Sequence, residues 1–148
     1  MSLRRGMLQV ARLAPTLLGE SKDLVAAFLR RTQNPDGGFQ DRAGASDIYY
    51  TVFGLEGLLA LHEPLPAATP EYLRRFGDGS SLDFVHLTCL ARAWGAWSRS
   101  GPPPEIRDTI TGRLQQHRSA DGGFALVRSA HFGSAYACFL ALGALEDL

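Results

Sequence analysis

A short pattern of residues occurs twice in this chain and constrains its fold more than any other feature. Residues 33–61 read QNPDGGFQDRAGASDIYYTVFGLEGLLAL, and residues 118–145 read RSADGGFALVRSAHFGSAYACFLALGAL. Each copy is an Asp-Gly-Gly-Phe turn followed by a run that is apolar on nearly all sides. An internal repeat of this length indicates an architecture built by stacking similar units.

Three pairs of helices are predicted around these turns. In each pair a helix with one apolar stripe comes first, and a helix without a polar face follows it. The apolar helices are expected over residues 46–61, 82–97 and 132–145, and a short helix over 3–13 precedes the pairs. A helix that is apolar all round has to be covered on all sides. We therefore expect inner helices sheathed by outer ones, with Gly77-Asp78-Gly79 replacing the Asp-Gly-Gly-Phe turn in a degenerate middle pair.

Polar residues indicate where the inner helices start. Asp47 lies in the first turn of the first one, and Ser80 and Asp83 have the spacing of a capping box before the second. Asp47 and Asp83 are 83 − 47 = 36 residues apart, and His131 corresponds to them in the third copy. In the first outer helix, we expect one apolar stripe to face the core, formed by Leu24, Val25, Phe28 and Leu29. The charged residues are expected to face water, namely Lys22, Asp23, Arg30 and Arg31.

Composition excludes several classes of function. The chain has 148 residues, enough for one moderate core, so a single domain over 1–148 is expected. Fifteen basic and fifteen acidic side chains cancel, which argues against a nucleic-acid partner. No apolar run is long enough for a membrane span, and Arg12 interrupts any signal-peptide core. Two cysteines in apolar runs fit buried thiols, so we expect a cytoplasmic protein.

The residues around the first turn resemble those of a known repeat superfamily. Leu29-x-x-x-Gln33-x-x-x-Gly37-Gly38-Phe39 is similar to the Gln-aromatic repeat of the prenyltransferase/squalene-hopene cyclase superfamily. The run from Asp47 to Leu58 resembles the D-x-Y-H-T-x-Y-x-L-x-G-L stretch of protein prenyltransferase β-subunits. The resemblance spans about residues 21 to 147 and implies an all-α fold, an α/α toroid of helical hairpins. Three hairpins amount to about half of such a ring.

The resemblance also implies a substrate class, a cofactor and a partner. It implies an isoprenoid diphosphate or another apolar small molecule, zinc as a possible cofactor, and a homo-oligomer or a second half-toroid subunit. The zinc-ligand histidine of the related stretch is Tyr50 here. The Asp-x-Cys ligand pair of that family has no match at Cys89 or Cys138.

Three residues on the matching stretch are the catalytic candidates, namely Asp47, Tyr49 and Tyr50. They would line the mouth of a cavity between the inner helices. The alternative interpretation is that Asp47 complements the helix dipole from the first turn and that Tyr49 belongs to the core.

Six further residues are candidates for ligand binding. The aromatic side chains would contact an isoprenoid chain, and the basic ones would meet an anion where the inner helices begin. They are Phe53, Phe84, His131, Tyr136, Arg42 and Arg128. Core packing for the aromatic residues, a structural role for the histidine and solvated loop positions for the arginines are the alternatives.

A metal site is considered at Asp83 and His86, which share one helical face at spacing i, i+3. Cys89 lies about 9 Å further along a straight helix, so one ion cannot bind all three side chains. Two functions stay open. The first is a prenyltransferase-like transferase, and the second is a half-toroid that binds isoprenoids or a protein partner without turnover.

Overall fold

The structure, a computed structural model, describes residues 3–98 and 101–148 and is mostly helical, as the sequence predicted. Its helices are α1 (Leu3–Ala11), α2 (Ala14–Leu18), α3 (Ser21–Arg31), α4 (Ile48–Ala60), α5 (Thr69–Arg74), α6 (Phe84–Trp97), α7 (Pro104–Gln115) and α8 (Ala135–Asp147). After the first turn, β1 (Phe39–Gln40) pairs antiparallel with β2 (Ser46–Asp47), with Phe39 opposite Asp47. Within the described ranges, no helix has the length and apolarity needed to cross a bilayer.

Side chains cap the starts of α4, α6 and α8. Asp47 accepts hydrogen bonds from two backbone N–H groups in the first turn of α4, at 2.8 and 3.2 Å. Asp83 and Ser134 each accept one from the N–H three residues further on, at 2.9 and 3.1 Å. All three cap residues have extended backbone angles, which places them just outside their helices. Such caps satisfy N–H groups that have no partner within the helix.

Two predictions about these starts were wrong. Asp83 is itself the cap of α6 rather than the partner of a capping Ser80, because the helix begins only at Phe84. Ser134 takes the place that was predicted for His131. His131 lies in the preceding loop, where its carbonyl accepts a hydrogen bond from the Asp121 N–H at 3.2 Å.

The helices α4, α6 and α8 lie side by side in the same direction, and we call them the central row. Glu56 and Arg92 each follow their cap by nine residues, and they form an ion pair at 2.8 Å. Gly95 lies 95 − 83 = 12 residues after the cap of α6. It lies against Asp147, which lies 147 − 134 = 13 residues after the cap of α8. Residues at nearly equal distances along the chain from their caps are therefore in contact. All three caps must then lie at the same end of the row. The helices α5 and α7 both pack on α6, and α1 and α3 contact α4.

The Asp-Gly turn occurs three times with the same hydrogen bond. Asp36, Asp78 and Asp121 each accept a bond at Oδ1 from the N–H two residues on, at 2.9 to 3.1 Å. The glycine after each aspartate has φ of +93°, +73° and +86°, a conformation that glycine adopts without steric cost. The middle turn is therefore Asp78-Gly79-Ser80. It keeps this geometry without the second glycine and the phenylalanine, which corrects its description as degenerate.

In two of these turns, the aspartate binds an arginine of the next outer helix. Asp36 Oδ2 accepts a hydrogen bond from Arg75 Nη1 at 3.0 Å, and Asp78 forms an ion pair with Arg113. Both arginines lie at the carboxyl end of the next outer helix, α5 or α7. The same contact is thus repeated from one helix pair to the next.

The turn carboxyls predict a loss of stability in acid. The Arg113 hydrogen bond lowers the pKa of Asp78 from 3.8 to about 2. Burial acts to raise the pKa of Asp36, but bonds from Ser46, Gly38 and Arg75 outweigh it, and the net pKa is lowered. The pKa of Asp121 is lowered by the Ser119 hydroxyl and by backbone N–H groups.

A group with a lowered folded-state pKa contributes stability that is complete above its unfolded pKa and is lost as the pH falls through the folded value. Urea titrations should therefore show the free energy of unfolding constant near pH 6 and falling from about pH 4 toward pH 2. The free energy of unfolding of Asp78→Asn should fall less steeply over this pH interval than that of the parent protein. A free energy that stays level from pH 5 to pH 3 would contradict the role assigned to the turns.

The predicted faces of α3 are only partly found in the structure: Leu29 packs against the core and Arg31 is exposed, as expected. Leu24 and Phe28, which were expected in the core, are 73% and 54% exposed. Lys22 and Arg30, which were expected to face water, form ion pairs with Glu63 after α4, and the Arg30 side chain remains 55% exposed. The Glu63 side chain is only 14% exposed, and a carboxylate with so little solvent requires compensating charge nearby. The two ion pairs join α3 to the residues that follow α4.

Candidate functional site

One face of the central row is identified by counting from the caps. Positions two, six and nine after a cap lie on one side of a helix, because each residue turns the chain by about 100°. The three helices are parallel and begin at equivalent caps, so these positions share a side of the row. We call them the row face. Its layers, from the capped end, are Tyr49, Val85 and Tyr136, then Phe53, Cys89 and Leu140, then Glu56, Arg92 and Gly143.

Aromatic side chains on the row face are exposed. Tyr49 is 40% exposed, Phe53 48% and Tyr136 53%. The rings of Tyr49 and Phe53 pack edge to face with centroids 5.1 Å apart, and Tyr50 packs on Tyr49 at 5.9 Å. The expectation that α4 and α8 are covered on all sides was therefore wrong for the described chain. Tyr49, Phe53 and Tyr136 occupy row-face positions, and Cys89 of α6 and Leu140 of α8, at 2% and 7% exposed, are buried positions of the same face.

An ion pair closes the row face at its third layer. Arg92 Nη2 donates to Glu56 Oε1 at 2.8 Å, and the two side chains are only 12% and 15% exposed. The Arg92 guanidinium also lies 5.8 Å from the centroid of the Phe53 ring, within the range of a cation–π contact. This pair fixes the orientation of Phe53 and joins α4 to α6.

The capped end of the row is acidic. Asp83 Oδ1 lies 2.8 Å from His86 Nδ1, and Asp47 Oδ2 lies 3.9 Å from His86 Nε2. Burial acts to raise the pKa of Asp83, but hydrogen bonds from the backbone and ring of His86 lower it overall. These carboxylates already accept hydrogen bonds from N–H groups in the first turns of α4 and α6. We had expected those N–H groups to attract a diphosphate. Their negative charge opposes an anion at that end.

Zinc, which the resemblance implies, does not fit the residues described. Across residues 3–98 and 101–148, no group of three or more His, Cys, Asp or Glu side chains is placed to hold a metal ion. Asp83 and His86 are adjacent, as their spacing predicted, but Asp83 serves as the cap of α6. Cys89 is 2% exposed, and burial raises the pKa of its thiol to about 11, so it is not a thiolate at neutral pH.

The remaining predicted residues do not join this face. Phe84 is 2% exposed and packs in the core, with its ring 4.7 Å from that of His117. Phe84 therefore does not present its ring to an exposed ligand site, contrary to the prediction. Arg42, Arg128 and His131 are exposed in the loops that lead to the capped end.

Sequence reasoning missed the Glu56–Arg92 pair. A signal for it was present, because 92 − 56 = 36 is the same interval that separates Asp47 from Asp83. Charged residues of opposite sign at the repeat interval, each inside an otherwise apolar helix, predict a contact between neighbouring inner helices.

Comparison with known proteins found no counterpart for this chain. No family model, no curated protein and no solved structure matches it. The function is therefore argued from the geometry of the site and from the sequence motifs.

Proposed function

We propose that this protein is a prenyltransferase-like half-toroid that binds an isoprenoid chain on the row face. The observation that carries the proposal is the exposure of Tyr49 and Phe53, whose rings pack on each other, with Tyr136 exposed at the equivalent position of α8. Exposed apolar clusters of this kind mark surfaces for ligands or partners. Aromatic rings suit the apolar, unsaturated chain of an isoprenoid, and they form the walls of most apolar ligand sites.

The arrangement of the helices supports a half-toroid. Outer helices α5 and α7 pack on α6, while the row face carries exposed aromatic side chains. Rows of stacked helical hairpins curve, and their open face becomes the concave binding surface. The row face is the side on which an isoprenoid would then lie.

Binding without turnover is the better supported form of this proposal. Transfer from an isoprenoid diphosphate requires stabilisation of the departing diphosphate, which positive charge or a metal supplies. Asp47 and Asp83 put negative charge at the capped end, and the residues described do not fit zinc. The basic groups in the loops there, Arg42 and Arg128, are exposed. The apolar chain, rather than the diphosphate, therefore supplies most of the affinity.

One observation favours the alternative, a transferase. His86 is hydrogen-bonded to Asp83 through Nδ1 at 2.8 Å, and its Nε2 lies 3.9 Å from Asp47 at the start of α4. A histidine oriented by a hydrogen bond from one ring nitrogen to a carboxylate is suited to accept the proton of an acceptor thiol or hydroxyl at the other. In that reaction the carbon–oxygen bond to diphosphate breaks, a bond from the acceptor to the prenyl carbon forms, and the diphosphate leaves.

Calorimetric titration with farnesol and with farnesyl diphosphate tests the proposal. Without a divalent cation, we expect farnesol to bind at least as tightly as farnesyl diphosphate, because the acidic end opposes the charge of the diphosphate. Phe53→Ser should weaken both by about tenfold to a hundredfold, the effect of losing one buried aromatic contact. Phe132→Ser is the control, since Phe132 is 79% exposed in the loop before α8 and off the row face.

Two results would contradict the proposal, namely no saturable binding of farnesol or equal affinities of Phe53→Ser and the parent protein. A separate assay distinguishes the alternatives. Release of diphosphate in the presence of thiol or alcohol acceptors supports the transferase, and its absence with intact farnesol binding supports binding alone.

A further inference from the structure

We propose that a second copy of this chain docks on the outer side of α8 and continues the central row. In α4 and α6, the positions one, five and eight after the cap are no more than 2% exposed. These buried residues are Ile48, Val52 and Leu55 in α4, and Phe84, Thr88 and Ala91 in α6. In α8 the same positions are exposed, with Phe139 at 51% and Leu142 at 56%.

The buried positions are those that face the next helix of the row. Gly95, twelve residues after the cap of α6, lies on the same side of the helix as positions one, five and eight. It lies against Asp147 of α8, which shows that this side faces the following helix. Ala135, Phe139 and Leu142, which we call the α8 edge, are therefore placed to receive one more helix.

Charge identifies the helix that fits there. Asp36 and Asp78 each bind an arginine at the carboxyl end of the following outer helix. In the described part of the chain, Asp121 has no such arginine: its turn is the same, and its Oδ2 accepts only the Gly133 N–H, at 3.2 Å, while the side chain is exposed. Arg31 is the last residue of α3, the first outer helix, and it is exposed with no ion pair to the described residues. A second copy would supply the missing arginine at the equivalent position.

The apolar side of α3 matches the α8 edge. Leu24 and Phe28 are 73% and 54% exposed, and we call them with Arg31 the α3 edge. Tyr50, three residues after the cap of α4, is 38% exposed near the same end. In α6 that position is His86, which faces the preceding helix α4. By this equivalence, Tyr50 points to the side of α4 on which a preceding helix of the row would lie. In the proposed contact, the α8 edge of another copy packs on that side.

The contact is heterologous, since the α3 edge of one copy meets the α8 edge of the other. The apolar residues supply most of the affinity, because an exposed ion pair contributes little, and the Asp121–Arg31 pair sets the register. This inference rests on the repeated contacts of the row and does not depend on isoprenoid binding.

Sedimentation of charge-reversed variants over a range of protein concentrations tests this contact. The parent protein should self-associate. Asp121→Arg alone and Arg31→Asp alone should each weaken the association by about tenfold, because like charges then face each other. Mixing the two variants should restore it, since each contact then joins one acid and one arginine. Arg42→Asp, a loop arginine outside both edges, is the control and should associate like the parent.

A second pair of variants tests the apolar part of the contact. Phe139→Glu and Phe28→Glu should each weaken association by about a hundredfold, and thermal unfolding should show that both remain folded. Both side chains are exposed in the single chain, so neither change disturbs its core. A monomeric parent protein at all concentrations, or a mixture of the charge-reversed variants that associates no better than either alone, would overturn the inference.

Discussion

Gly37→Ala is expected to lower the free energy of unfolding by about 4 kcal/mol, a large part of the stability of a domain this size. Gly37 has φ of +93°, where a side chain is strained. A Cβ at this position would also lie under 3.0 Å from the backbone of Ala68 and Thr69, at the start of α5. Backbone cannot move aside as the end of a side chain does. The Thr69 hydroxyl, which donates to the Gly37 carbonyl at 2.9 Å, would also lose its geometry.

The matched control for this change lies in the other copy of the turn. Gly122 has φ of +86° and the same place in its turn, but nothing lies within 4 Å of a Cβ there. Gly122→Ala should therefore cost only the backbone strain, about 1 to 2 kcal/mol. Urea denaturation of the two variants measures the difference. Equal losses would show that the first turn does not pack on α5 as described.

Arg92→Ala is expected to cost about 3 kcal/mol, because it breaks a largely buried ion pair at the α4–α6 contact. The two side chains are 12% and 15% exposed, so solvent compensates this loss poorly. The change also removes the guanidinium from the Phe53 ring. Thermal and urea unfolding of the variant measure the cost.

Two further variants check that the cost arises from breaking this buried ion pair. Replacing both partners with apolar residues, as Glu56→Leu with Arg92→Met, should recover most of the lost stability. Arg74→Ala breaks an exposed ion pair between Arg74 and Glu71, whose two side chains are 56% and 74% exposed. This change should cost less than about 1 kcal/mol. A loss for Arg92→Ala as small as that for Arg74→Ala would mean that the pair does not join the two helices.

Local chemistry made much of this fold predictable from sequence. The two Asp-Gly-Gly-Phe turns and the apolar runs after them located α4 and α8, and Asp47 was correctly placed at the start of α4. The middle turn was misread because it lacks the second glycine and the phenylalanine. Its geometry needs only the Asp78 carboxylate, the N–H two residues on, and Gly79 at positive φ.

Long-range contacts were harder to predict. Periodicity showed that α3 has two faces, but not that Lys22 and Arg30 would form ion pairs with Glu63. The candidate site was predicted in part. Tyr49 and Tyr136 share a face because both follow their caps by two residues, a register that requires the correct cap at Ser134. From sequence, the third copy was aligned on His131, three residues too early. In that alignment Tyr49 and Tyr136 do not occupy equivalent positions.

The most direct test of the central claim is to locate a bound isoprenoid. A farnesyl analogue that carries a photoreactive group can be cross-linked to the protein and its attachment sites found by mass spectrometry. We expect adducts on the row face, at Tyr49, Phe53 and Tyr136, with competition by unlabelled farnesol. Adducts confined to Leu24 and Phe28 of α3, or cross-linking that farnesol does not reduce, would contradict the account.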